Sequence, residues 1–373
     1  MTTNRDGNPS ETLLLTPGPL TTTPATRRAM LRDWGSRDVD FIDLTARIRR
    51  RLLAIVGGEA AAKTCVPIQG SGTFAVEAAL QTLIPRDGRL LILVNGAYGR
   101  RMAEICRVTG RAHEVLEWPE DQPVDPVAVA AALEADRSVT DVAVVHVETT
   151  SGLLNPLAEV AEVVAAAGRR LHIDAMSSFG AIGIDAAAVS FTSLFASSNK
   201  CLEGVPGIGF VIAEVAALEQ AKGNAVSLAL DLEAQWRGLE SNGQWRFTPP
   251  THVLAALDAA LDQFDAEGGV PGRFARYSRN CAVLCAGMRE LGFSPWLDDA
   301  LQAPVIVTFR IPDGGRFRFG DFYDSLHARG IVIYPGKLTA LDSFRIGCIG
   351  AIGEAEIRRA LGVIADTVTA MRG

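Results

Sequence analysis

The sequence predicts an α/β protein in which a mostly parallel central sheet, covered by helices, is followed by a smaller α+β C-terminal domain. Three observations carry this expectation. Between Cys65 and about Ala213, short β-rich apolar runs alternate with helical patterns, which is how a parallel sheet and its crossover helices read in sequence. After about Pro249 the texture changes to long helical stretches and then to strands interleaved with helices. With 48% hydrophobic content over 373 residues, the chain can bury enough apolar surface for two domains.

The elements follow in chain order. The segment from Leu13 to Leu53 enters through the Pro/Gly punctuation of Thr16-Pro17-Gly18-Pro19 and contributes helices before the sheet begins. Strands are expected at 65–69, 89–94, 112–116, 141–147, 170–174, 193–196 and 209–212. Between them the pattern predicts helices at 73–83, 98–109, 126–135 and 156–167, the last with Pro156 at a first helical position, where a missing N–H does no harm. Beyond Pro249 come helices at 252–267 and 272–291, strands at 305–310, 332–334 and 343–346, and a final helix from about Glu354. This gives an N-terminal segment (1–20), a large domain (21–250) and a small C-terminal domain (251–373), with no internal repeat or low-complexity tract.

The formal net charge of -7 argues against non-specific binding to nucleic acid or to an anionic membrane, since both need a basic surface field. Any anionic ligand must therefore be held by local groups. The stretch from Met1 to Glu11 is polar, without the apolar region of a secretory signal, and no apolar run approaches the roughly 20 residues that span a bilayer. A cytoplasmic protein is expected. The six cysteines, at 65, 106, 201, 281, 285 and 348, lack C-x-x-C spacing and read as reduced, mostly buried side chains; Cys281 and Cys285, one turn apart, have no further ligands nearby to complete a metal site.

Three motifs carry chemistry. Gln69-Gly70-Ser71-Gly72-Thr73 ends a strand and opens a helix, so backbone N–H groups and two hydroxyls converge as they would on a phosphate, although a plain tight turn has the same composition. Gly70-x-Gly72-x-x-Ala75 also fits the looser dinucleotide pattern, but the region where its acidic partner should stand reads Leu93-Val94-Asn95-Gly96. Next, Leu171-His172-Ile173-Asp174 is an apolar strand ending on a carboxylate, where open α/β sheets bind ligands; a turn or helix-cap Asp would read alike. Last, Phe195-Ala196-Ser197-Ser198-Asn199-Lys200 ends an apolar strand on a lysine, which is costly to desolvate unless partnered or covalently used. The order phosphate turn, carboxylate, lysine, all at strand ends of one domain, favours a pyridoxal phosphate site.

With these motifs, and with Leu13-Leu14-Leu15-Thr16-Pro17-Gly18-Pro19 and Phe344-Arg345-Ile346-Gly347-Cys348-Ile349-Gly350 at the two ends, the chain resembles the class V, fold-type I aminotransferases over nearly its whole length. The resemblance implies that Ser71, Gly72 and Thr73 hold the phosphate of pyridoxal 5'-phosphate, that Asp174 pairs with its pyridine nitrogen, and that Lys200 is both the cofactor-linked lysine and the proton-moving base. It further implies that Tyr98 stacks on the cofactor ring, that the Thr149 hydroxyl reaches the ring oxygen, and that Asn199 and Thr248 lie on the phosphate side, Thr248 coming from the partner subunit of a homodimer. Arg345 would hold the substrate anion. The implied activity is ping-pong transfer of the amino group of 2-aminoethylphosphonate to pyruvate, with transfer from alanine or serine to glyoxylate or pyruvate as the alternative within the class. Likeness around Ala29-Met30-Leu31-Arg32-Asp33-Trp34 and Gln244-Trp245-Arg246-Phe247-Thr248 favours the phosphonate donor.

Overall fold

A computed structural model describes residues 12–57, 62–312, 317–339 and 341–372. Seven strands form the central sheet in the spatial order Lys63–Gln69, Ile208–Glu214, Ser193–Ser197, Arg170–Asp174, Asp141–Val145, Arg89–Val94 and Ala112–Glu117. Every pairing is parallel except those of Ile208–Glu214, which runs antiparallel to both neighbours. The reversal has a simple cause: the link from Ser197 to Ile208 is too short for the crossover of a dozen or more residues that a parallel neighbour needs. Consequently Gln69, Val94, Val145, Asp174 and Ser197 all end strands on one edge of the sheet, where open α/β folds bind ligands.

The period-2 alternation of the strands supplies two cores at once. Leu91, Leu93, Val142, Val144, Leu171 and Ile173 face one side and pack with Phe41, Ile48, Val160, Leu254, Leu257 and Leu261 of the helices Val39–Ile55, Leu157–Ala166 and Thr251–Ala266. On the other side Leu90, Ile92, Val94, Ala143 and Val145 pack with Val76, Leu80, Met102, Ile105 and Trp236 of the helices Gly72–Leu83, Ala97–Thr109 and Leu232–Asn242. Although Thr251–Ala266 begins just past 250, its apolar face is thus buried against the large sheet.

A smaller antiparallel sheet has the order Ile306–Arg310, Ser343–Gly347, Tyr334–Pro335, and it packs against the helices Gly269–Glu290, Phe319–Ala328 and Glu354–Arg372. The short strand Leu13–Leu14 pairs in parallel with Ile331–Val332, so the first described segment is tied to the smaller C-terminal α+β region. Several details differ from the sequence expectation; Pro156, for one, is the N-cap rather than the first residue of its helix, Leu157–Ala166. The run 141–147 breaks at His146, whose backbone N–H turns to the Asp174 carbonyl at 2.9 Å, and Val147–Glu148 then pairs with Leu153–Leu154. The run 332–334 is divided between Ile331–Val332 and Tyr334–Pro335, which pair with different partners. The long helix starts at Gly269 rather than 272, because Pro271 falls in the first turn, where no intrahelical N–H is required.

Candidate active site

The C-terminal ends of Arg170–Asp174 and Ser193–Ser197, the N-terminus of Gly72–Leu83 and the first turn of Ala97–Thr109 converge on a cavity of about 200 Å³. Ser71, Gly72, Thr73, Tyr98, Asp174, Asn199 and Lys200 all line it. At its centre Lys200 Nζ donates to the Pro17 carbonyl at 2.7 Å. Burial lowers the pKa of this amine to about 8, against the opposing pull of the Cys201 thiol and the Asp174 carboxylate, so it gives up its proton more readily than an exposed lysine. Gly18 closes over it with φ of 120°; a Cβ there would stand 2.6 Å from the Asn199 carbonyl oxygen and 3.0 Å from Lys200 Nζ. A glycine is what allows the Pro17 carbonyl to reach the lysine.

Asp174 is buried, and desolvation raises its carboxyl to about 7, opposed by the Met176 N–H, which donates to Oδ1 at 2.9 Å, and by the charges of Arg101 and Lys200. A cationic partner arriving in the cavity would hold this group ionised. At the other end of the cavity Ser71 is the N-cap of Gly72–Leu83, yet its hydroxyl makes no capping bond, which leaves it and the N–H groups of Gly72 and Thr73 available to an anion, while the Phe74 N–H donates to the Ser71 carbonyl. Gly72 is needed for space, since a Cβ would collide with the Met176 thioether.

Thr149 and Arg345 are not among the residues that line the cavity, but they touch each other, and the Arg345 guanidinium acts on Tyr98, which does line it. Arg345 is 2% exposed; it reaches across from the smaller antiparallel sheet to donate from Nη1 to the Thr149 carbonyl at 2.9 Å, and from Nε to the Pro335 carbonyl at 3.1 Å. The Thr149 hydroxyl meets Ser177 Oγ at 2.6 Å. Beside them Glu148 is fully buried, burial raises its carboxyl, and its Oε2 has no hydrogen-bond partner among the described residues. Thr248 does not join this group within one chain: it is exposed, in a separate surface hollow with Ser36 and Arg37. The sequence reading missed Arg101, which lines the cavity and donates from Nη1 to Thr73 Oγ1 at 3.3 Å, and Lys337, whose ammonium lies 5.2 Å from the centre of the Tyr98 ring. Arg101 was discoverable, standing three residues after Tyr98 on the same helical face. Lys337 comes from a distant loop and gave no such signal.

Comparison with known proteins bears on this arrangement. The family described as aminotransferase class-V matches residues 28–351. The chain belongs to the class-V aminotransferases. It is 57% identical to 2-aminoethylphosphonate--pyruvate transaminase 2 of Burkholderia lata over 97% of this chain and 96% of that protein. It is 55% identical to 2-aminoethylphosphonate--pyruvate transaminase of Pseudomonas aeruginosa over 95% and 96%. Among solved structures, pyridoxamine-pyruvate aminotransferase from Mesorhizobium loti superposes with a TM-score of 0.88 at 25% identity, over 98% of this chain and 94% of the other. Alanine--glyoxylate aminotransferase from Nostoc sp. shares the fold, with a TM-score of 0.89 at 23% identity over 98% and 96%. Class-V aminotransferases use pyridoxal 5'-phosphate, and the fold is that of fold-type I. The residues present fit that cofactor: an amine of lowered pKa, a buried carboxyl lacking a cation, and an uncapped helix N-terminus open onto one cavity.

Proposed function

We propose that this class-V aminotransferase moves the amino group of 2-aminoethylphosphonate to pyruvate, giving phosphonoacetaldehyde and alanine. The observation that carries this reading is the identity of 55% or more, over nearly the full length, with two proteins named for that reaction. When bound, pyridoxal phosphate supplies a carbonyl that joins covalently to amines and a ring that accepts electrons. Ser71, Gly72, Thr73 and Asn199 would hold its phosphate, and Asp174 would keep its ring nitrogen protonated. Tyr98 would stack on the ring, and the Thr149 hydroxyl would reach the ring oxygen. Lys200 Nζ, neutral once its lowered pKa is passed, would take the proton from the donor's amino-bearing carbon and return it to the cofactor carbon in each half-reaction. Arg345 would grip two oxygens of the phosphonate and later the pyruvate carboxylate.

In the same reading the protein is a cytoplasmic homodimer in which Thr248 serves the partner subunit's site. Six unpaired, buried cysteines suit a reducing compartment, and an exposed Thr248 beside a half-exposed Phe247 suits a surface that a second copy covers. Among the described residues, no helix is long and apolar enough to cross a membrane.

The test is a half-reaction: cofactor-loaded protein is mixed separately with 2-aminoethylphosphonate, alanine and serine, and the visible band of the lysine-linked cofactor is followed. Rapid loss with the aminophosphonate and slow loss with serine is expected. Conversion by the amino acids alone would move the protein to the alanine or serine branch of the class.

A further inference from the structure

Three cations gather around Tyr98, a residue that lines the cavity, with more positive charge than the chain neutralises there. Arg101 lies with its guanidinium carbon 4.9 Å from the Tyr98 ring centre, Lys337 approaches that same ring at 5.2 Å, and the buried Arg345 guanidinium biases both Tyr98 and Lys337. Among the described residues, no carboxylate forms an ion pair with any of the three, in a chain whose formal net charge is -7. The contrast with Arg100 is direct, since that neighbour is paired with both Glu117 and Glu120. Glu148 and Asp174 influence the cluster only through space, and burial pushes both carboxyls toward the protonated form. Burial and mutual repulsion lower the pKa of Lys337 and, through burial, that of Arg345, as expected where an anion is missing.

Lys337 is exposed, but the backbone on either side of it is held in place. Immediately before it, the Gly336 N–H donates to the Ser343 carbonyl at 2.8 Å, and a Cβ at Gly336 would collide with Ser343. Two residues after it, the Thr339 N–H donates to Glu120 Oε2 of the large domain at 2.8 Å. The loop is therefore tied at both ends, and its lysine stands over the ring of Tyr98, which lines the cavity. The Lys337 side chain itself has no hydrogen bond or ion pair among the described residues.

We infer that Lys337, supported by Arg101, is a specificity-determining residue that reads the second negative charge of the donor's phosphonate, leaving Arg345 to hold what phosphonate and carboxylate have in common. The inference rests on the function proposed above. A guanidinium fork matches two oxygens, which is all a carboxylate offers; a phosphonate has a third oxygen and a second charge, which suit a compact ammonium point charge. One site could then serve a dianion in the first half-reaction and a monoanion in the second.

The test pairs Lys337→Met with Lys337→Arg in the cofactor-loaded protein. Ethylphosphonate and ethanesulfonate, which are nearly the same shape but differ by one charge, are titrated by calorimetry, and both half-reactions are measured. For Lys337→Met we expect ethylphosphonate binding to weaken about tenfold while ethanesulfonate changes less than about twofold. The kcat/KM for 2-aminoethylphosphonate should fall about tenfold or more through KM, with the pyruvate half-reaction changing less than about threefold, and Lys337→Arg should recover most of the loss. Equal weakening of both anions, or no weakening of either, overturns the assignment. A wild-type protein that fails to convert 2-aminoethylphosphonate at all would instead overturn the proposed function, so the two failures are distinguishable.

Discussion

The cofactor site turns on single groups whose ordinary chemistry is altered by burial. Lys200→Ala should abolish the visible band of the lysine-linked cofactor and lower turnover by at least about 10³-fold, checked by absorbance and by borohydride trapping; a reducible band that survives in the variant would sink the assignment. Arg345→Lys keeps the charge but loses the fork, so kcat/KM for both substrates should fall about 10-fold to 10²-fold with the cofactor spectrum intact. Asp174 sets a pH dependence in the cofactor-free protein. Its carboxyl is raised to about 7 in the folded state by desolvation, above its value of 3.8 in the absence of burial, so the folded state binds that proton more tightly. The stabilising contribution is therefore fully present below the unfolded pKa and lost as pH rises through about 7, with a slope of up to about 1.4 kcal/mol per pH unit. Denaturant midpoints measured between about pH 4 and 8 should show a component of this sign that Asp174→Asn removes. Asp174 and Lys200 were legible because each sits at or just past the end of an apolar strand, whereas Arg345, in the middle of Ser343–Gly347, was named only through the family resemblance. Gly18 was legible only as turn punctuation, since nothing in Thr16-Pro17-Gly18-Pro19 says that its backbone will lie against a lysine far along the chain.

At the scale of elements, the strands of the large sheet were readable to within a residue or two because their runs are short, apolar and flanked by helices of clear period. The breaks at His146 and Ile333 were not, since both depend on which distant backbone group accepts or donates, and local pattern carries no record of that. The helices Leu232–Asn242 and Phe319–Ala328 were also missed; each has polar residues interspersed with the apolar face that packs down. A buried ionic cluster joins the elements behind the lysine. Glu203, at φ of 59°, donates its backbone N–H to the Lys200 carbonyl at 2.8 Å and accepts from Tyr277 Oη at 2.5 Å and from Arg276 at 2.6 Å, while Arg276 and Arg273 also pair with Glu267 at 2.7 Å. The helix Gly269–Glu290 is thereby tied to the loop that presents Lys200. Arg276→Met leaves Arg273 alone against the two carboxylates of Glu203 and Glu267, an excess negative charge in a largely buried cluster, so it should cost about 3 to 5 kcal/mol of stability. Tyr277→Phe, which deletes a neutral donor to Glu203 and the acceptor of the Gly350 N–H, should cost about 1 to 3 kcal/mol. Chemical denaturation of the two variants checks both the direction and the order.

For the whole molecule, one chain brings the expected site residues together around one cavity except Thr248, which we propose serves a partner's site. That residue was legible in sequence only through family resemblance, because no periodicity or spacing says which copy of a chain a loop will serve. In the structure Thr248 is exposed and lies apart from the cavity, on a stretch that also exposes about half of Phe247, and the half-exposed Phe74 sits close to the phosphate turn in a neighbouring hollow. Apolar side chains left exposed around a site rim are what an intersubunit surface would cover. If Thr248 acts in the partner's site, catalysis can be split between two defective chains. Lys200→Ala alone lacks the amine in both sites of a homodimer, and Thr248→Arg alone fills the phosphate side of both with a bulky cation. A mixed dimer, however, contains one site built from the intact Lys200 of the second variant and the intact Thr248 of the first. Co-refolding the two variants in equal amounts should regenerate about a quarter of wild-type activity, since half of the dimers are mixed and each has one intact site. Activity that stays at the sum of the two separate variants, although light scattering shows mixed dimers, would mean that Thr248 serves its own chain or neither.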